Sequence, residues 1–137
     1  LSEVEIMGEQ LLIQNYVAGG ALAGNRFVKA DSTEGQVVAA GDGDAPFGIT
    51  DRVGSPPTIT EAVGAVEGDR VDVVQVGVTD LELGGTVAFG EYIEPGTDGV
   101  GVAYSGGAPG ALALESGEEG DIIRVLVLLG AAAGLGS

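Results

Sequence analysis

The 137-residue sequence predicts an all-β, mostly antiparallel domain: a small β-barrel or sandwich with at most one or two short helices and an extended N-terminal arm. Three observations carry this expectation. Gly contributes 26 residues and Pro 5, about a quarter of the chain against roughly an eighth in average usage, and that composition disfavours long helices. Hydrophobic residues still make up 45% and mean hydropathy is +0.33, too apolar for a chain that stays disordered. Apolar residues also recur with a period of two in short runs separated by Gly, Asp and Pro.

Residues 1–14 read as an arm, because Leu1, Val4, Ile6, Met7, Leu11, Leu12 and Ile13 are apolar but follow no period of their own. Burying one such side chain is worth roughly 1.5–3 kcal/mol, so the arm is expected to lie along a neighbour as an added strand, with Val4, Ile6 and Leu12 as anchors. Folding back on its own domain is the alternative. Residues 15–130 form the β-rich domain. Short strands are expected at Tyr16-Val17, Arg26 to Lys29, Gln36 to Ala39 and Phe47 to Ile49. Ser55 to Thr58 is a loop by composition, and Thr60 to Val63 could open one short helix through a Thr cap. Arg70 to Val73 alternates in one phase and Val74, Val76 and Val78 in the other, so Val74, Val76 and Val78 are expected on one buried face, with a β-bulge at Val73-Val74. A second slip follows at Thr79-Asp80, before Leu81 and Leu83.

Tyr92-Ile93, Gly101 to Tyr104 and Ala111 to Leu114 continue the series. Ile122 to Leu129 is nearly continuous in apolar residues and reads as a central strand buried on both faces. Gly19-Gly20, Gly41 to Asp44, Gly84-Gly85, Thr97 to Gly99 and Ser105 to Gly107 supply the turns. Glu67 to Val74 resembles Glu119 to Leu126, each a Glu-Gly-Asp turn launching a strand, from internal duplication or from two equivalent turns. Residues 131–137 read as a flexible tail of small residues.

Five Lys and Arg against 21 Asp and Glu leave a net charge of −16. Nucleic acid is excluded as a direct partner, since phosphate binding needs clustered cations, and an anionic membrane surface is disfavoured for the same reason. No run reaches the roughly 20 apolar residues of a membrane helix, and the first ten residues lack the cationic start of a signal peptide. With no Cys and no His, thiolate chemistry, imidazole bases and nearly all zinc or copper sites are absent, so neither an enzyme nor a cofactor is expected. Asp42-Gly43-Asp44 resembles the opening of a calcium loop, but Pro46 and Phe47 stand where a further ligand and the tight-turn Gly belong, and an acidic turn is the simpler reading. Ser105 and Ser116 have no evident activating base and read as turn residues. Paired carboxylates could in principle hydrolyse a glycoside, yet no Trp and only six Phe and Tyr are available as a sugar platform. The scarce cations Arg26, Lys29, Arg52, Arg70 and Arg124 either pair within the chain or meet an acidic patch on a partner; Arg26 and Arg52 are the interface candidates.

Five segments occur in a telling order: Tyr16 to Ala23, Asp44 to Asp51, Gly68 to Val74, Leu83 to Gly90, and Leu114 to Gly117 with Gly120 to Val127. Together, from about Leu11 to Leu129, they resemble the capsid cement, or head decoration, proteins of tailed bacteriophages. The segment Pro56 to Val66 is longer than that family's usual loop, and the stretch before Ala111 lacks its more typical hydrophobic strand. The resemblance implies a structural virion protein on the outer surface of the expanded head, reinforcing the shell against internal DNA pressure. Its implied partners are the major capsid protein and itself, as a homotrimer or a dimer, and no catalytic residues come with it. A secreted or surface carbohydrate-binding or adhesion β-module is the alternative; it requires an exposed aromatic or calcium-linked site.

Overall fold

The computed structural model describes residues 10–51 and 65–127. Positions 1–9, with Val4 and Ile6, lie outside the described residues, as do Arg52, the expected helix start at 60–63 and the tail 131–137. Among the described residues nine strands form: β1 (Gln10–Ala18), β2 (Phe27–Ala30), β3 (Gln36–Ala39), β4 (Gly48–Thr50), β5 (Arg70–Glu82), β6 (Tyr92–Pro95), β7 (Gly101–Ala103), β8 (Ala111–Ala113) and β9 (Ile122–Val127). A 3-10 turn at Thr97–Gly99 is the one helical element among the described residues. The domain is therefore all-β, and every strand pairing is antiparallel except β1 with β3.

The strands run in the order β1-β3-β2-β4-β5-β9-β8-β6-β7, and an additional β1–β5 pairing closes the first five into a barrel. The long strand β5 belongs to both parts. Its first half completes the barrel, and its second half, from Gly77 to Glu82, pairs with β9 and opens the sheet β5-β9-β8-β6-β7. That sheet curls until Gly101 forms a bridge to Leu83, just past the end of β5.

Two apolar cores follow from this sharing. Ala18, Leu22, Val28, Val37, Ala65, Val71 and Val73 form the smaller one. The larger joins Phe27, Ile49 and Val74 of the barrel strands to Leu81, Leu83, Ile93, Ala111, Ala113, Ile123, Val125 and Val127 of the second sheet. Neighbouring residues of one strand point to opposite faces, so Phe27 and Val28 serve different cores, and so do Val73 and Val74.

That division explains the phase change expected as a bulge at Val73-Val74. Both residues are buried because β5 has a core on each face there, and no residue is skipped between them. β1 shifts register against β5 one residue further on, where Leu12 pairs with Val76 and Ile13 with Val74, leaving Gln75 unmatched, and shifts again between Gln10 and Leu12. The slip expected at Thr79-Asp80 is not a break either, since β5 and β9 pair without interruption from Gly77 to Glu82. Residues 10–14, expected within the arm, are the first half of β1 and pair with β5 of their own chain.

Many of the acids are spent on turns. In Val66 to Asp69 the Asp69 carboxylate accepts the Val66 N–H (3.0 Å) while the Asp69 N–H donates back to the Val66 carbonyl, with Gly68 at φ +94° between them. Glu118 to Asp121 repeats this arrangement with Gly120 at φ +90°, as do Gly41 to Asp44 and Ala88 to Glu91. The likeness between the Glu67 and Glu119 segments thus extends to two further turns of the same build. A side-chain acceptor three residues on, with Gly at the positive-φ position, is the local chemistry that makes each turn.

Candidate interaction surface

Of the five cations, Arg26 precedes β2, where its Nε and Nη2 donate to Glu82 Oε1 (3.3 and 3.1 Å) and its Nη1 to the Asp98 carbonyl (3.1 Å). It ties the barrel to the far end of β5 and to the 3-10 turn. Leu12, an expected anchor, is exposed on β1 opposite Val76. Glu82 lies six residues along β5 from Val76, or about 20 Å at strand rise, so Arg26 and Leu12 do not belong to one site. Arg70 donates to Asn15 Oδ1 (2.7 Å), and Arg124 stands exposed directly across from Asp80.

Lys29 Nζ lies 2.9 Å from Asp44 Oδ2, which also accepts the Gly41 N–H at 2.8 Å. The calcium-loop position is therefore an acidic turn closed by a lysine. The hydrogen bond from Lys29, and then that from Gly41, hold the Asp44 carboxyl below the usual carboxylate range. A carboxyl with a lowered folded-state pKa stabilises above its unfolded value, and the effect is lost as pH falls through the folded one. Lys29→Met is accordingly expected to lower the Tm at about pH 7, and by less at about pH 2, since the gap closes as Asp44 takes up a proton. Thermal melts at the two pH values check this; an undiminished gap in acid would mean that the pair contributes nothing.

The serines are used in turns as well. Ser116 Oγ accepts the Phe89 N–H (2.9 Å), and the buried Glu94 carboxylate receives the N–H groups of Ser105 (3.1 Å) and Gly107 (2.9 Å) and the Ser105 hydroxyl (3.2 Å). Glu94 thereby pins the loop after β7. No group of three or more His, Cys, Asp or Glu placed to hold a metal occurs among the described residues.

The surface that residue-by-residue reading missed lies on the outer face of the second sheet. Val78, Leu126, Leu112 and Tyr92 are successive cross-strand partners on β5, β9, β8 and β6. Tyr104, which follows β7 and donates its N–H to the Tyr92 carbonyl, extends the row across a fifth strand. Tyr92 is 39% and Tyr104 48% exposed, and the three aliphatic members are half-buried. Four spacings between strands make the row about 19 Å long. Val76 and its partner Leu12, 38% and 40% exposed, continue the apolar surface onto β1.

This row corrects two expectations. Val74, Val76 and Val78 do not share a buried face: Val74 is buried, while Val76 is exposed and Val78 half-buried. Gly77 and Thr79 turn inward instead, opposite Val127 and Val125 of β9. β9 is central in its sheet but not buried on both faces, for Ile123, Val125 and Val127 are buried while Ile122 is 55% exposed. On β8 the small Ala111 and Ala113 face the core and Leu112 faces outward. The detectable signal was the apolar run of β9, which offers one more apolar face than this domain covers.

Comparisons with known proteins bear on the fold. No family model and no curated protein matches the chain. Among solved structures, the chain is similar to the N base of the head fiber protein gp8.5 of bacteriophage phi29, with a TM-score of 0.63 at 14% identity, over 86% of this chain and 94% of that one.

Proposed function

We propose that this chain is a structural component of a tailed-phage head, a decoration or cement protein displayed on the outer surface of the expanded capsid. It binds the major capsid protein, assembles as a homotrimer or a dimer, and stiffens the shell against the pressure of packaged DNA. The observation that supports this most is the likeness of fold, over most of both chains, to a phage head fiber base. The ordered run of segments resembling head decoration proteins points the same way, and so does a net charge of −16, which keeps an exterior protein from adhering to DNA.

The experiment is to add purified chain to expanded heads that lack it. Saturable binding is expected, visible by electron microscopy as added density on the outer surface, with DNA retained to a higher temperature. Absence of binding would overturn the reading. Arg52→Glu is expected to lower occupancy, and occupancy equal to wild type would remove Arg52 from the interface. In the same assay, deletion of 1–9 is expected to reduce binding without lowering the Tm of the free protein if this segment, with Val4 and Ile6, acts as an arm; a fall in Tm would favour folding back on its own domain.

The adjacent exposed pair Tyr92 and Tyr104 supplies what a carbohydrate-binding module would need. The rest of their row is aliphatic, however, and offers none of the side-chain donors and acceptors by which sugar hydroxyls are usually held.

A further inference from the structure

We propose that the outer face of the β5-β9-β8-β6-β7 sheet is the docking face of this protein, and that its occupant is an apolar, cation-rimmed patch on the shell protein of the head. The inference rests on the head reading above and assigns it a surface.

Three observations carry the assignment. The row Val78, Leu126, Leu112, Tyr92 and Tyr104 is in register across all five strands of the sheet, where one-sided antiparallel sheets usually place polar residues outward. β8 and β9 send Leu112, Leu126 and Ile122 outward while β8 keeps only alanines inside, so the larger apolar side chain of β8 is spent on the outer face. Tyrosines at one end and aliphatic side chains along the middle match the composition of buried interface centres.

Charge selects the occupant. Beside the row stand the exposed carboxylates of Asp80, two residues along β5 from Val78, and of Glu115, which accepts the Arg124 N–H; Arg124 is the one cation on this face among the described residues. A second copy docked through this same face would set its acids against their own counterparts. A shell surface carrying Lys or Arg around an apolar centre meets the same row with attraction in place of repulsion.

The test uses expanded heads lacking this chain as the probe. Tyr92→Glu/Tyr104→Glu is compared with wild type and with Ser32→Glu/Thr33→Glu, which adds the same charge in the exposed turn between β2 and β3. The tyrosine variant is expected to bind at least about tenfold more weakly and the turn variant like wild type, with circular dichroism unchanged in both. Wild-type binding should also weaken as salt is raised. If the glutamate variant fails to fold, Tyr92→Ser/Tyr104→Ser is measured in its place, with a loss in the same direction expected.

Equal binding by the tyrosine variant and wild type overturns the assigned face while the head reading stands. Failure of wild type itself to bind overturns both. A tyrosine variant that changes only the oligomeric state in sedimentation would make a second copy the occupant. A fall in the Tm of free wild type on removal of 128–137, matched by a similar fall in the tyrosine variant, would make the chain's own C-terminal segment the occupant; either result overturns the proposal.

Discussion

Replacing Gly99 with alanine is expected to destabilise the domain by about 3 kcal/mol or more, a fall in Tm on the order of 10 °C for a chain of this size. Two effects add at this residue. Its φ of +81° lies in the left-handed region, where an L side chain costs about 1–2 kcal/mol. A Cβ built there would also run into the Phe27 carbonyl oxygen and would lie 3.3 Å from both the carbonyl carbon and the nitrogen of Phe27. These are backbone atoms in the first residue of β2, and the Phe27 oxygen already accepts the Ala40 N–H, so it cannot swing aside as a side-chain tip would. Asp98, just before it, also has a positive φ of 58° and offers its carbonyl to Arg26. The turn is thus seated on the barrel from both sides. Gly43→Ala separates the two contributions, because Gly43 has φ +71° but nothing within 4 Å of its would-be Cβ. Urea unfolding should show Gly99→Ala losing clearly more stability than Gly43→Ala; equal losses would mean that the close approach to Phe27 is relieved at little cost.

The strand sites of this fold were legible because tight turns and period-two runs are local features. Gly68-Asp69 and Gly120-Asp121 announce their turns by chemistry that acts within four residues, and each turn lies where the sequence predicts it. What the sequence did not disclose was which face of β5 and β9 is covered. Alternation marks two faces without naming the inner one, and the answer depends on partners far along the chain: Val125 and Val127 draw Thr79 and Gly77 inward and leave Val76 and Val78 outside. Double burial at Val73-Val74 was equally non-local, since it arises from a second core on the other face of the strand. Arg26 and Leu12 could be singled out by scarcity and by apolarity, but only the register of β5 shows that one stands at its end, on Glu82, and the other at its middle, opposite Val76. The docking row follows from the same register, as Leu112, Leu126 and Tyr92 are 14 or more residues apart in sequence and become neighbours only through pairing.

Phe27→Ala is expected to destabilise the domain by about 3–5 kcal/mol, the range for removing a fully buried aromatic side chain. Phe27 is 0% exposed and is the largest fully buried residue among those described. It sits on a barrel strand, paired across to Ile49, yet its side chain belongs to the core of the second sheet, with Leu81, Ile93 and Ala111. Val28, next to it, faces the other core. The cavity left by alanine would therefore open where the barrel packs against the second sheet, beside Gly110, which lies so close to the ring that a Cβ there would approach it at 2.8 Å and which has no side chain to fill the space. If the two parts unfold as one unit, as the shared β5 requires, the variant should show a single thermal transition at lower temperature by calorimetry. A transition split in two, with only one half shifted, would mean that the barrel and the second sheet are separately stable. The ring lies on the inner side of the sheet whose outer face carries Tyr92 and Leu112, so below its transition the variant should still bind heads, while its binding should fail at a lower temperature than that of wild type.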